Sequence, residues 1–228
     1  MKLFIHKHLL ILFAILLTFL YFENNIFTSS KTNMEKEIEI LLFNTNVIKR
    51  RVAAKRLGYY SHRRSVIALL EALHDDDILV RKNSIRSLGK IRDVKAIPFL
   101  IELLDDDESD IRNQVVRSLG MIKSVKALNS LIDSLDDEEK TVRMSAIWAL
   151  LQIRDKRAVK SLIDKLFDKD SKVRSYAAEA LGKFNDKKII PFLKHVYLND
   201  LDIKVKQSAA LSLKRLGEEV DFPTERKK

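Results

Sequence analysis

The sequence predicts an all-α fold, a right-handed α-solenoid of about six stacked helix pairs over residues 33–216, placed after an N-terminal hydrophobic segment. Three observations predict it. A block of ten residues recurs with a period of 31. Apolar residues inside each period fall at helical spacing, on one face of each half. The chain also holds only five glycines and three prolines, too few for the many tight turns of an all-β protein.

The recurring block reads VRKNSIRSLG, IRNQVVRSLG, VRMSAIWALL and VRSYAAEALG, starting at positions 80, 111, 142 and 173. An earlier copy, KRRVAAKRLG, starts at Lys49, and a later one, VKQSAALSLK, at Val205 after one inserted residue. Between the blocks lies a second element: SVIALLEALHDDD, AIPFLIELLDDD, ALNSLIDSLDDE, AVKSLIDKLFDKD and IIPFLKHVYLND. Its leucines and isoleucines sit at i, i+3/i+4 and i+7, the apolar face of a helix of about eleven residues. The acidic run that follows suits a turn and the positive end of the next helix dipole. Pro98 and Pro191 occupy matching first-turn positions, where a missing N–H costs nothing. Gly58, Gly89, Gly120 and Gly182 recur near the end of the second helix and are expected to be left-handed C′ residues. One helix hairpin cannot bury its own apolar face, so the copies must stack.

Six units follow, at 33–60, 63–91, 94–122, 125–153, 156–184 and 187–216, the first being an atypical cap that pairs MEKEIEILLF with a basic helix. Residues 217–228 form a polar tail, of which the end DFPTERKK is expected to fray. Ahead of the repeats, residues 1–22 (MKLFIHKHLLILFAILLTFLYF) are basic at the start and then apolar without a break from Leu9 to Phe22. That pattern is a targeting or anchoring element, read as a cleaved signal peptide or an uncleaved anchor, with residues 23–32 as linker. The positive-inside rule mildly favours an extracytoplasmic repeat domain, so the protein is expected to be membrane-anchored or exported to the cell envelope.

The repeated blocks resemble HEAT repeats of the short bacterial kind named after phycobilisome lyases, whose signature runs roughly D-x-x-VR-x-x-A-x-x-ALG. The resemblance spans about four-fifths of the chain. It implies a stack of about six HEAT-like helix pairs that presents a surface to another protein.

The formal net charge of +10 must be located before it is interpreted. No acidic residue occurs from Ile40 to Leu70, where Lys49, Arg50, Arg51, Lys55, Arg56, Arg63 and Arg64 lie. The rest of the chain is close to balanced, which predicts one basic end rather than a uniformly basic groove. That first repeat, with Tyr59, Tyr60 and His62 interleaved, suits anionic lipid headgroups next to an anchor. A nucleic-acid partner is not expected of an exported chain.

Two columns of side chains stand out. Arg81, Arg112, Arg143 and Arg174 each follow an acid by four residues, namely Asp77, Glu108, Glu139 and Asp170. Acid and arginine at that spacing are helix neighbours. The preferred reading is a structural ladder of ion pairs tying adjacent repeats, over an anion-binding one. Five residues after the arginines comes a second column, Lys55, Arg86, Arg117 and Trp148, continued by Glu179. It lies about 140° round the helix from the first. This column is the candidate partner-binding row, with Trp148 as its anchor, since aromatic and arginine residues dominate binding hot spots.

An enzyme is not expected. The chain has no cysteine, which removes thiol nucleophiles and cysteine zinc sites. Its histidines, His6, His8, His62, His74 and His195, do not cluster, and no His-Glu pair occurs. Deoxyhypusine hydroxylase, the enzyme that resembles this repeat pattern, needs such pairs to hold iron. No Gly-rich phosphate loop or G-x-S-x-G elbow is present, so no cofactor or metal is expected. Two other readings remain: a bilin-lyase-like protein handling a tetrapyrrole, and a basic-groove helical-repeat protein that binds nucleic acid.

Overall fold

A computed structural model describes residues 32–224. The signal or anchor expected at residues 1–22, and all but the last residue of the 23–32 linker, lie outside the described residues. No helix among the described residues is long and apolar enough to cross a membrane. The chain divides into two compact units at Lys36/Glu37. In the described part of the first, Thr32 and Glu35 form a reciprocal capping box: each side chain accepts the other's backbone N–H, at 3.3 and 3.1 Å.

Twelve α-helices and no strand form among the described residues. In order they are α1 (Asn33–Phe43), α2 (Val47–Leu57), α3 (Arg63–Glu71), α4 (Ile78–Ile91), α5 (Ile97–Glu102), α6 (Ser109–Ile122), α7 (Leu128–Asp133), α8 (Lys140–Ile153), α9 (Val159–Asp164), α10 (Ser171–Phe184), α11 (Ile190–Asn199) and α12 (Ile203–Arg215). Odd-numbered helices are the first members of the pairs and even-numbered ones the second. In the second unit, α2, α4, α6, α8, α10 and α12 pack side by side in that order, and α3, α5, α7, α9 and α11 each lean on the second helix of their own pair.

Periodic leucines hold the stack together. Leu57, Leu88, Leu119, Leu150, Leu181 and Leu213, one per second helix, are all 0% exposed. So are Leu69, Leu100, Leu131, Leu162 and Leu193, one for each of the first helices from α3 to α11. Each such burial contributes about 2–3 kcal/mol, and the two columns interleave into one continuous core.

The first helices are short α segments extended by 3-10 turns. Val94–Ala96, Val125–Ala127, Lys156–Ala158 and Lys187–Ile189 lead into α5, α7, α9 and α11. Asp93, Ser124, Asp155 and Asp186 open these turns by accepting the N–H two residues on. At the second helices, Asp77, Asp170 and Asp202 cap their own first turns in the same way, whereas Glu108 and Glu139 make no side-chain cap.

The glycines do not act as left-handed C′ residues, contrary to the sequence expectation. Gly58 has φ −64°, and Gly89, Gly120 and Gly182 lie inside α4, α6 and α10. The left-handed residues are Arg92, Lys123, Arg154 and Asn185, with φ of 61°, 58°, 59° and 54°. A non-glycine residue there costs about 1–2 kcal/mol. The glycines are needed three residues earlier, where successive second helices come closest. A Cβ on Gly89 would stand 2.8 Å from the Ser118 backbone, and one on Gly182 2.9 Å from that of Ser212. Small partners complete the seam. The hydroxyls of Ser87 and Ser212 each donate to a carbonyl of the preceding second helix, Ala54 and Ala178, at 2.8 Å.

Nor is the described part of the tail frayed. Tyr197 donates its hydroxyl to the Asp221 carbonyl at 3.1 Å, Gln207 donates to that of Pro223 at 3.1 Å, and Lys194 pairs with Glu218. The segment after α12 is thereby held against α11 and α12.

Candidate partner-binding face

The arginine column forms a ladder whose acids differ from those at i−4. Arg50, Arg112, Arg143 and Arg174 each grip one carboxylate of the following repeat through Nε and Nη2. The partners are Asp75 (2.8 and 2.9 Å), Asp137 (2.8 and 3.1 Å), Asp168 (2.8 and 2.8 Å) and Asp200 (2.7 and 2.9 Å). The remaining nitrogen of each, Nη1, closes the arginine's own turn on one or two carbonyls, as Arg143 does on Asp137 and Glu138 at 2.9 and 2.8 Å. Each gripped aspartate in turn accepts the N–H two residues on, from Asp77, Glu139, Asp170 and Asp202. One arginine thus binds its own turn to the next, and the aspartate stiffens the turn it belongs to.

Of the acids expected in the ladder, Asp77 bonds Arg51 and Asp170 bonds Lys140, each on the preceding second helix. Glu108 and Glu139 take no rung. The acid at i−4 is the extended N-cap residue of its helix, and the arginine reaches forward instead to an aspartate of the next repeat. Arg81 is the exception in the arginine column. It bonds only the carbonyls of Asp75 and Asp76, at 2.9 and 3.3 Å, with no ion pair among the described residues. Lys82 links that repeat to the next through Asp110. The true rung acids also recur at one period or, across the repeat of Arg81, two (75, 137, 168, 200), a signal the i, i+4 rule passes over.

Burial sets the electrostatics of the rungs. The side chains of Arg143 and Asp168 are 4% and 5% exposed. Burial alone would push the Asp168 carboxyl up. The bond from Arg143, the Asp170 amide and the charges of Arg143 and Lys165 together hold it below the ordinary carboxylate range. The same balance lowers Asp75, Asp137 and Asp200. Asp77 lies at about 2, chiefly through its bond to Arg51.

The second column faces the other way. Lys55, Arg86, Arg117 and Glu179 are exposed, and Trp148 is half-buried. Arg117 lies over the Trp148 ring at 5.6 Å from its centroid, so these two residues of adjacent repeats are brought together. The ring edge rests on Gly120, where an added Cβ would stand 2.7 Å from the Trp148 Cζ3 atom. Lys55 and Arg86 make no ion pair among the described residues. Sequence reasoning missed a second pair on this face: Lys90 lies over the Tyr59 ring at 4.8 Å. Residues 59 and 90 are one period apart, which was the available signal.

The layers also differ in charge. The six second helices hold two carboxylates, Asp110 and Glu179, paired with Lys82 and Lys183. Each of these helices carries between two and five Lys or Arg. The near balance of the chain beyond the first repeat therefore conceals a segregation, with acids in the turns and cations on the second helices. The cavity of about 310 Å³ between Ile101, Leu104, Ser130 and Ser134 lies away from this face. Among the described residues no group of three or more His, Cys, Asp or Glu is placed to hold a metal ion.

Comparison with known proteins bears on the whole repeat region. The family model for HEAT repeats matches residues 35–120, 85–151, 100–171 and 128–214. Among solved structures, the complex of CpcE and CpcF of phycocyanin lyase from Nostoc sp. PCC7120 is similar at 25% identity and a TM-score of 0.60, over 84% of this chain and 80% of that one. An engineered protein is similar at 21% identity and TM-score 0.56, over 82% and 97%. A designed armadillo repeat protein in complex with the peptide (KR)4 follows at 16% identity and TM-score 0.58, over 81% and 100%. No curated protein matches the chain.

Proposed function

The chain belongs to the HEAT-repeat family, and on that premise we propose that it is a non-enzymatic scaffold of the cell envelope that holds another protein on a concave face formed by its second helices. One observation carries this reading: the exposed row Lys55, Arg86 and Arg117 ends on the Arg117–Trp148 stack, while Arg112 and Arg143, five residues before Arg117 and Trp148, are buried in the ladder. Charged groups left free on an ordered surface, next to an aromatic ring pinned by Gly120, are the make-up of a binding hot spot. The apolar residues 1–22 support the envelope setting, and the basic first repeat then lies where anionic headgroups would meet it.

Capture from solubilised membranes tests the reading. The wild-type chain is expected to retain a partner that Arg117→Glu and Trp148→Ala both release. Identical capture by all three proteins would sink this face as the site.

The likeness to the phycocyanin lyase complex favours a second reading, in which the stack handles a tetrapyrrole. That similar structure pairs two chains, which also suits a scaffold whose partner is a protein. Co-expression with a bilin separates the two: the scaffold reading expects no visible-absorbing ligand on the purified protein.

A further inference from the structure

We infer that the segment received on this face is an extended acidic peptide, with one carboxylate per repeat and hence an acid at every third residue. The inference rests on the partner-binding face proposed above and adds the chemistry and register of what it takes.

Charge complementarity comes first. Lys55, Arg86, Lys90 and Arg117 line α2, α4 and α6 with no ion pair among the described residues. Both carboxylates of the second helices are already paired, Asp110 with Lys82 and Glu179 with Lys183, and Asp77 at the start of α4 is held by Arg51. A cationic partner would find no free acid on this row, whereas an anionic one meets unpaired cations in three successive repeats.

Spacing comes second. Lys55, Arg86, Arg117 and Trp148 are one period apart on helices that pack side by side. Packed helix axes lie about 8–10 Å apart. The glycine seam brings these helices into backbone contact, so the row has one station roughly every 9 Å. A polyproline II chain advances about 9 Å in its three-residue turn and returns the same face each time. In a β-extended chain the same face recurs at about 6–7 Å. A nucleic-acid strand places a phosphate about every 3.4 Å along the axis, several for each cation here. The stations therefore fit acids at i, i+3 and i+6 of an extended peptide, with the next turn lying against Trp148.

Trp148 is the single tryptophan of the chain, so its emission reports on the site directly. The test titrates the full-length chain in detergent with a capped peptide of four Glu-Pro-Pro triplets. Controls are the Lys-Pro-Pro analogue, a peptide with the same number of acids at every second residue, and a twelve-nucleotide oligothymidylate. The Glu-Pro-Pro peptide is expected to shift the emission saturably and to bind at least about tenfold more tightly than each control. Arg86→Glu and Arg117→Glu, both at exposed positions, should each weaken it about tenfold with the circular dichroism unchanged. No emission change, equal affinity for the lysine peptide or tighter binding of the oligonucleotide would overturn the inference; equal affinity for the every-second-residue peptide would overturn its register. A captured partner that depends on Trp148 but is not displaced by the Glu-Pro-Pro peptide leaves the face standing and overturns the acidic class alone.

Discussion

Arg112 and Arg117 sit on one helix, five residues apart, and have opposite fates. Arg112 has a side chain 9% exposed, grips Asp137 through two nitrogens and closes its own turn on the Asp106 and Asp107 carbonyls. Arg117 is exposed and touches Trp148 across the groove between α6 and α8. Residue type and helix are shared, so neither explains the difference. A rotation of about 140° does, since it turns one side chain into the seam between repeats and the other out of it. The lesson concerns charge counting: the net +10 overstates what a partner meets, because the ladder consumes an arginine in four of the repeats.

The comparison breaks most visibly at its most buried point. Arg143→Ala leaves Asp168 buried and unpaired and removes two turn-closing bonds, so about 3–5 kcal/mol of stability should be lost. Urea denaturation followed by circular dichroism measures this. A loss near that of a surface change would show that the rung does not fasten the stack.

Acid should act on the same rungs. Asp75, Asp137, Asp168 and Asp200 have lowered values in the fold. Their contribution is therefore complete above the ordinary carboxylate value of about 4 and is lost as pH falls through the lower folded values. Thermal midpoints taken from pH 7 to pH 2 should drop on the acid side only. Asp168→Asn, already destabilised, should show a shallower drop, and an unchanged slope would remove that rung from the acid response.

Gly120 links the seam to the face. Gly120→Ala adds a methyl 2.8 Å from the Ala149 backbone and 2.7 Å from the Trp148 ring. Overpacking of about 1–3 kcal/mol, less about 1 kcal/mol of helix propensity, predicts a net loss of about 1 kcal/mol. The same substitution should shift tryptophan emission in the absence of any ligand. A stabilised protein with unchanged emission would contradict the close approach.

Ser84 predicts the opposite sign. Its hydroxyl is buried with no hydrogen-bond partner among the described residues, at a position where the other repeats place Ala53, Val115, Ala146, Ala177 and Ala209. Ser84→Ala should stabilise by about 0.5–1 kcal/mol, read as a higher urea midpoint. The smallest effect belongs to the second column: Arg86→Ala should change stability by less than about 0.5 kcal/mol. A larger loss would mean that Arg86 belongs to the fastening after all.

Much of this was legible in the residues. The period of 31, the leucine columns, the acidic turns and the first-turn prolines are local patterns, and each recurs often enough to be read without coordinates. The exposed row was legible too, because helical periodicity alone puts residue 117 on a different face from residue 112. Less legible were the rungs. The i, i+4 rule names Glu108 for Arg112, but the arginine reaches across the seam to Asp137 of the next repeat, a pairing that no local rule supplies. The glycines misled for a similar reason. Near a helix end a glycine reads as a left-handed turn, yet here Arg92, Lys123, Arg154 and Asn185 make that turn and the glycine admits a neighbouring helix.

By itself the sequence determined the repeat, its helices and the face each side chain takes, since these depend on residues a few positions apart and on the fixed geometry of one helix. Only the tertiary structure decided which aspartate each arginine grips, why glycine stands where it does, that Arg117 meets Trp148 and that residues after α12 fold back on the last repeat. Those outcomes depend on distances between groups some 25–31 residues apart along most of the stack, set by how closely two helix surfaces pack rather than by the residues adjoining either group.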